Sequence, residues 1–486
     1  MLRALIRSPY LWTAVAVILF VAVRMITSHA IHFIPANGDE RYQFAIVKHG
    51  FDINRGSFLP GIGIYLSGFR YFWGNIPLED ARVIVGVTNS LLFAVAFALI
   101  ARTMGIWSAI AFTIVMSFCF EWNLMAWTLW GEHAGSVLLV INFLFVYWLT
   151  DAIVAGRRVP VWAYLALLII FGISLYVRQN FMIFPVIALV LSSLAFAVVY
   201  FRDRKRNLRV FMVPLVYAVG LLFLTPWTMA LSKHVGGFRV APVSQDISLA
   251  IHYGYKRLMP MVRKKIVEHH ARTSGKTREE IDESEFKGNS FLVVHRAARY
   301  QSRDEHRPLL DIFKEYREYA LKGLTLNHAI VEVQDAWQRF LFGAGKFGTS
   351  FFEMQYWRLD APVAVRALLQ TVYSTIYVTA FALSFAVAVI PFWGTLREQL
   401  LVIAFKGTFL FACLNPFVHR TNARHHQFVV PLMVVGALLL FRECYRLART
   451  SSYSDMAAAE KALFFLQAAG GLAILSLALV IALYPA

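Results

Sequence analysis

Charged residues are scarce in this chain. Of its 486 residues, 16% are Asp, Glu, Lys or Arg and 58% are hydrophobic, whereas a soluble domain has about 25% charged and 45–50% apolar residues. The missing charge is concentrated in blocks such as 83–100, 159–177 and 463–483, each with 18 or more consecutive uncharged residues. A block of this length crosses a bilayer as one helix. The composition therefore excludes a soluble globular protein.

The sequence also lacks the features of three other classes of protein. The chain has only three cysteines, Cys119, Cys413 and Cys444, all in or beside hydrophobic blocks, so no disulfide framework is indicated. The hydrophobic blocks lack a period-two alternation, which argues against an outer-membrane barrel. No internal repeat is present, so the inverted-repeat pattern of secondary transporters is unsupported.

The net charge of +18 does not indicate a nucleic-acid partner. Basic residues collect in short loops that fall on one side if the helices alternate, and the positive-inside rule makes that side cytoplasmic. This orientation places the N-terminus in the cytoplasm and the C-terminus in the periplasm. We predict an all-α polytopic membrane protein with about eleven spans. Their predicted ranges are 10–28, 82–101, 105–120, 131–150, 160–177, 181–201, 210–232, 367–393, 400–418, 426–442 and 462–484.

Two long segments, 29–80 and 233–366, then lie on the external side. The second has the composition of a soluble protein, and apolar residues three and four apart predict a small unit of amphipathic helices. We accordingly divide the chain into an N-terminal membrane module 1–232, a periplasmic segment 233–366 and C-terminal spans 367–486.

The first external loop carries the most informative motif. The pair Asn37-Gly38 signals a turn, and the acidic residues Asp39 and Glu40 directly after it favour the start of a short helix, where the helix dipole stabilises carboxylates. Asp39 and Tyr42 would share one face of this helix. The stretch 62–73 is apolar and aromatic enough to lie as an amphipathic helix in the membrane interface.

Asp39-Glu40-Arg41-Tyr42 is similar to the Asp-Glu-x-x-Tyr stretch of the GT-C class of polytopic glycosyltransferases, such as the protein O-mannosyltransferases and the lipid A aminoarabinose transferase. The tyrosine comes one residue sooner here, and the Lys-Pro-Pro common in relatives is replaced by Leu59-Pro60-Gly61. Further similar motifs follow in the same order: Leu78-Glu79-Asp80-Ala81-Arg82, Gly131-Glu132, Tyr176-Val177-Arg178-Gln179-Asn180, Thr225-Pro226-Trp227 and Asn422-Ala423-Arg424-His425-His426-Gln427.

The resemblance implies an enzyme of the bacterial inner membrane that transfers a sugar from a polyprenyl-phosphate donor, with inversion, on the periplasmic face. The acceptor would be a cell-envelope glycolipid, polysaccharide or protein. An acceptor hydroxyl must lose its proton as it attacks, and a nearby carboxylate is the usual base; Asp39 is our candidate. Arginine at the membrane surface stabilises the departing phosphate. The candidates for substrate binding are Glu40, Tyr42, Glu132, Arg178, Arg424 and His425.

Other interpretations of these residues stay open. Asp39 could form a local salt bridge with Arg41, and Glu40 could pair with Arg41 or Lys48. Arg178 could reach the external surface by snorkelling. Glu132 could cap its helix, and Glu121 is expected at the membrane interface.

Metal dependence is also open. Asp39 and Glu132 could hold Mg²⁺ or Mn²⁺ through oxygen ligands, but no Asp-x-Asp motif is present. His425 and His426 are adjacent, which is poor spacing for two ligands on one helix.

Three rival functions remain. A lipid or polysaccharide flippase or transporter would need charged or broken spans near the bilayer midplane. A pyrophosphate-donor polysaccharide ligase or polymerase has similar topology, and a catalytically inactive scaffold would tolerate the loss of Asp39.

Overall fold

The fold is built entirely from helices in the part of the chain that the structure describes. This structure is a computed structural model that describes residues 8–31, 38–50, 60–204, 206–240, 247–286, 290–342, 362–418, 425–450, 453 and 456–485. No strand occurs in these ranges, which confirms the all-α prediction. The α-helices are α1 (Pro9–Ile31), α2 (Gly38–His49), α3 (Gly61–Trp73), α4 (Leu78–Met104), α5 (Ile106–Phe118), α6 (Phe120–Met125), α7 (Gly131–Val154), α8 (Val161–Val177), α9 (Phe184–Asp203), α10 (Met212–Gly220), α11 (Thr225–Val235), α12 (Ser248–Ser274), α13 (Ser290–Asp304), α14 (Leu309–Leu321), α15 (Leu326–Phe342), α16 (Val363–Val389), α17 (Leu396–Ala412), α18 (Asn415–Val418), α19 (Val430–Thr450) and α20 (Ala458–Leu483).

The described ranges contain nine helical segments that are long and apolar enough to cross a membrane. Two of the predicted spans, 105–120 and 160–177, correspond to the shorter apolar helices α5 and α8. The chain is therefore a multi-pass membrane protein, while the count of eleven spans stays a prediction.

Helix α7 is the central helix of the bundle. In its most hydrophobic stretch, 89% of the residues are buried inside the protein, against 11% in the peripheral helix α20. Helix α20 instead exposes large apolar residues such as Leu472 and Leu483, as expected of a lipid-facing helix. Helix α7 begins at Gly131, so this residue lies near the middle of one end of the bundle.

The two ends of the bundle differ in character. At one end, which we call the loop face, Tyr253 Oη donates to the Phe417 carbonyl at 2.7 Å and Gln334 Nε2 donates to the Tyr484 carbonyl at 2.9 Å. The helices of the second long segment thus attach to the ends of C-terminal spans. The opposite end, the basic face, carries ion pairs such as Arg397–Asp151 at 3.5 Å. The positive-inside rule predicts that the basic face is cytoplasmic.

The segment after α11 has a hydrophobic core of its own. Its buried residues extend from Trp227 to Ala320 and come from α11, α12, α13 and α14, together with Ile247, Ile281 and Phe286 between these helices. Gly254 allows α12 and α14 to approach closely, because a Cβ at this position would lie 2.6 Å from the Ala320 carbonyl oxygen. This packing confirms that the soluble-like segment is helical. Its boundaries at 233 and 366 stay predictions.

Candidate functional site

The first external loop forms two helices, α2 and α3, that are held against each other. The backbone N–H of Gly63 donates to Gln43 Oε1 at 2.8 Å, and Arg70 Nη1 donates to the carbonyls of Val47 and Lys48 at 2.5 and 2.6 Å. The start of α3 lies directly on the end of α8: a Cβ at Gly61 would be 2.4 Å from the Tyr176 carbonyl oxygen. Tyr176 also packs on the core of the second long segment. Both long segments therefore meet at the loop face, beside Arg178.

Glu40 is buried and paired with Arg82. Arg82 Nε and Nη2 donate to the two carboxylate oxygens of Glu40 at 3.2 and 2.8 Å, and both side chains are 2% exposed. The backbone N–H of Leu129 also donates to Glu40 Oε1 at 3.1 Å, while Arg82 Nη1 donates to the Ile31 carbonyl at 3.0 Å. A two-point arginine–carboxylate contact fixes geometry as well as charge. This pair therefore fixes the first turn of α2 to α1, α4 and the segment before α7.

Glu132 and Arg178 form the second acid–arginine pair of the site. Arg178 Nη2 lies 2.5 Å from Glu132 Oε1; the glutamate side chain is 6% exposed and the arginine side chain 22% exposed. Arg178 follows the last residue of α8 with extended backbone angles, φ −150° and ψ 122°. Since α8 ends there, the side chain can turn across the start of α7, where Glu132 lies in the first turn.

Phe428 closes the other side of Arg178. The guanidinium carbon of Arg178 lies 5.5 Å from the centre of the Phe428 ring, within the range of a cation–π contact. Gly135, one turn into α7, leaves the room for this arrangement: a Cβ there would be 3.0 Å from Phe428 and 3.1 Å from Arg178. Three parts of the chain thus converge on one guanidinium group.

Glu121 is enclosed by protein, and its position at the membrane interface stays a prediction. Its side chain is fully buried, and Gln427 Nε2 donates to its Oε2 at 3.0 Å. The hydrogen bond joins the segment before α7 to the 3₁₀ turn His425–Val429. This contact helps to place Phe428 against Arg178. Glu121 is adjacent to Trp122, and the aromatic neighbour suggested an interface because Trp is enriched there.

The two acid–arginine pairs flank one short segment of backbone. Glu40 accepts from the N–H of Leu129, and Glu132 follows three residues later at the start of α7. Arg82 is almost completely buried, whereas Arg178 keeps part of its surface open at the loop face. A guanidinium group has five N–H donors, so Arg178 can hold Glu132 and still donate to an anion. Of the two arginines, Arg178 is the one suited to binding a phosphate group.

The remaining predicted site residues are described only in part. Asp39 lies in the backbone of α2, but its side chain is outside the described residues, as is the side chain of His425. Arg424 lies wholly outside them. Tyr42 is partly buried in α2, beside Glu40. The substrate-binding and catalytic roles of these residues stay predictions.

Sequence reasoning did not assign a role to Arg82 or Arg24. Arg82 belongs to the motif Leu78-Glu79-Asp80-Ala81-Arg82. An arginine at the start of an otherwise apolar span is expected to have a structural or functional role. Arg24 is the single charged residue between Pro9 and Ile31, and its side chain is 4% exposed. A buried charge inside an apolar helix is expected to have a function.

The described ranges contain no group of three or more His, Cys, Asp or Glu side chains placed to hold a metal ion. Glu132, one of the two candidate metal ligands, contacts Arg178. The other, Asp39, has its side chain outside the description.

No protein-family model matches the sequence, and no curated protein matches it. Among solved structures, the fold is similar to the crystal structure of ArnT from Cupriavidus metallidurans in the apo state, with a TM-score of 0.34 and 15% sequence identity over 93% of this chain and 84% of that chain.

Proposed function

We propose that this protein is a membrane glycosyltransferase that moves a sugar from a polyprenyl-phosphate donor to a cell-envelope acceptor. The reaction takes place at the loop face, which we assign to the periplasmic side of the inner membrane. Support comes from the motif order of the sequence and from the position of two acid–arginine pairs around residues 129–132. The acceptor is a glycolipid, a polysaccharide or a protein.

The observation that carries the proposal is the Arg178–Glu132 pair. The guanidinium is partly exposed at the end of the bundle, it is oriented by a buried carboxylate at 2.5 Å, and Phe428 covers one of its faces. An oriented cation with remaining donors, at the level where the phosphate of a membrane lipid lies, suits the leaving group of this reaction. Glu132 is a positioning residue that acts through Arg178.

The chemical step needs one base and one stabilised leaving group. The Asp39 carboxylate takes the proton of the acceptor hydroxyl as the oxygen attacks the anomeric carbon. The new glycosidic C–O bond forms while the C–O bond to the phosphate breaks, and its electron pair leaves with the lipid phosphate. Arg178 stabilises the negative charge that develops there. Attack opposite the phosphate inverts the anomeric centre.

Glu40 has a positioning role in this scheme. Its carboxylate is occupied by Arg82 and the Leu129 N–H, so it fixes the start of α2, the helix that contains Asp39. Precise placement of a base is worth several orders of magnitude in rate. Tyr42, Arg424 and His425 complete the substrate-binding set that we propose.

The experiment is transfer in proteoliposomes that contain the purified protein, a radiolabelled polyprenyl-phosphate sugar and an envelope lipid extract. We expect labelled acceptor, released polyprenyl monophosphate detected by mass spectrometry, and an inverted anomeric configuration by NMR. Release of a diphosphate instead identifies a ligase or polymerase with a pyrophosphate-linked donor. Movement of intact labelled lipid across the bilayer without covalent product identifies a flippase and contradicts the proposal.

A further inference from the structure

A second cationic site lies in the membrane domain, with a lining that differs from the residues of the Arg178–Glu132 pair. It is a cavity of about 440 Å³ whose lining includes Phe20, Arg24, Ser28, Ser90 and Trp127. Cavities that bind small molecules have volumes of roughly 300–1,000 Å³. None of the residues that hold Arg178 lines this cavity.

Arg24 is the charged group of the cavity. Its Nη2 lies 2.9 Å from His133 Nε2 and its Nη1 lies 3.5 Å from the Asn123 carbonyl, while its Nε has no hydrogen-bond partner. In the part of the chain that the structure describes, no carboxylate pairs with it. A buried cation without a counter-charge is costly.

Aromatic rings compensate part of this charge. The guanidinium carbon of Arg24 lies 4.8 Å from the centre of the Phe20 ring and 5.1 Å from that of Trp122, both within cation–π range. These contacts orient the guanidinium but supply no negative charge. An anion in the cavity would supply that charge.

The cavity opens toward the lipid. Val21 and Met25, which also line it, are 47% and 68% exposed, and Ile18 on the same face of α1 is 68% exposed. Exposed apolar residues on a membrane-spanning helix face acyl chains. A ligand that enters here therefore comes from the bilayer.

Polar residues lead from the loop face down to Arg24. Arg24 lies seven positions before Ile31, the last residue of α1, which places it about 10 Å below that end at 1.5 Å per residue. Ser28, one helical turn above Arg24, and His29 both line the cavity. A headgroup can descend along this path while its acyl chains stay beside α1.

We propose that this cavity binds the phosphate group of a membrane phospholipid, with Arg24 as its main contact. The planar guanidinium group matches phosphate oxygens better than any other side chain does. The bound lipid would supply the missing counter-charge and would pack α1 against α4 and the segment 119–130. The proposal is independent of sugar transfer, because it concerns lipid retained by the resting protein.

The test is native mass spectrometry of the full-length protein, purified without lipid and titrated with dioleoylphosphatidylglycerol. The comparison ligand is dioleoylglycerol, which has the same acyl chains and no phosphate. We expect the wild-type protein to bind the phospholipid at least about tenfold more tightly, since a hydrogen bond to a charged group contributes at least this factor. Equal binding of both lipids would overturn the proposal, because the cavity would then recognise acyl chains only.

Two variants locate the site. Arg24→Gln is expected to lose one tightly bound phospholipid, and Arg24→Lys is expected to recover part of the affinity. The matched control is Arg102→Gln, which changes an exposed arginine in the last turn of α4. This control should bind phospholipid as the wild type does. Ser28→Phe leaves Arg24 in place but blocks the entry path, so it decides the question if Arg24→Gln does not fold. Unchanged binding by Ser28→Phe and any folded Arg24→Gln would overturn the proposal.

Inorganic phosphate distinguishes the source of the anion. A phospholipid in this cavity should resist displacement by millimolar phosphate, because its acyl chains add binding energy in the bilayer. Complete displacement would show that the cavity takes a soluble anion, which contradicts the assignment to a lipid.

Discussion

Arg178 and Glu132 lie 2.5 Å apart at the loop face, and the two residues differ in exposure: the carboxylate side chain is 6% exposed and the guanidinium 22%. Glu132 is thus enclosed by protein, while part of the Arg178 guanidinium group stays exposed at the loop face. Such an asymmetric pair is suited to binding an anion, since the buried member fixes the orientation of the exposed one.

The first prediction concerns Arg178. Arg178→Gln should lower sugar transfer about 100-fold, because the leaving phosphate loses its charged donor. Arg178→Lys should recover part of the activity, since a lysine keeps the charge but not the two-point geometry. Initial rates at several donor concentrations check both variants.

The control for this prediction is Arg278→Gln. Arg278 is also paired with a carboxylate, Glu283 at 2.8 Å, but both are exposed in the second long segment. Its removal should leave transfer unchanged. Equal losses in both variants would mean that the effect of Arg178 is not specific to the site.

The second prediction concerns the buried Glu40–Arg82 pair. Glu40→Ala leaves Arg82 buried without this carboxylate, which should cost about 3–5 kcal/mol of stability. The double variant Glu40→Ala/Arg82→Met should be more stable than Glu40→Ala alone, because the buried cation that has lost the Glu40 carboxylate is removed as well. Thermal unfolding in detergent measures the three proteins. The exposed pair Arg278–Glu283 is the control, and its loss should cost about 0–1 kcal/mol.

The third prediction concerns His295 in the core of the second long segment. Burial, reinforced by the charges of Arg299 and His234, lowers the pKa of His295 to about 3, while a histidine in an unfolded chain has a pKa of about 6.5. Between these values the unfolded state binds a proton that the folded state does not. Stability should therefore fall as the pH drops below about 6.5, by roughly 3 kcal/mol at pH 4 from this residue.

Amide hydrogen exchange of α13 in the full-length protein, corrected for the intrinsic pH dependence, measures this effect. His295 stacks on Phe313 with ring centres 5.7 Å apart, so His295→Leu keeps an apolar contact and removes the titrating group. The pH dependence of exchange should be weaker in this variant than in the wild type. The same pH dependence in both proteins would contradict the assignment to His295.

The sequence was sufficient to predict the helical membrane fold, because long uncharged blocks have few alternatives. It was also sufficient to nominate Glu132 and Arg178 separately, since each is a charge at the end of a span. Their contact could not be predicted, because it arises from the packing of α7 against the end of α8. Within one helix such neighbours follow from spacing, but no comparable rule links residues on different helices.

The surroundings of Glu121 and Arg24 could not be predicted from the sequence either. The environment of Glu121 depends on Gln427, which is 306 positions away in the sequence, so its own neighbours in the sequence do not predict its burial. Arg24 was visible as a charge within an apolar span, but its cavity is formed together with Ser90 and Trp127 from other segments. Burial of a polar group is a property of the tertiary structure.

The role of Asp39 is the central claim of the account. Asp39→Asn keeps the size of the side chain and removes its ability to accept a proton at neutral pH. Glu79→Gln serves as the matched control, because it also replaces one carboxylate by an amide, at an exposed position at the start of α4.

The most direct measurement is the rate of sugar transfer by Asp39→Asn in proteoliposomes supplied with donor lipid, together with donor binding by the same preparation. The account predicts that transfer is abolished while expression, thermal stability and donor binding remain at wild-type levels, and that Glu79→Gln retains full activity. Wild-type transfer by Asp39→Asn would remove this residue from the mechanism and contradict the account.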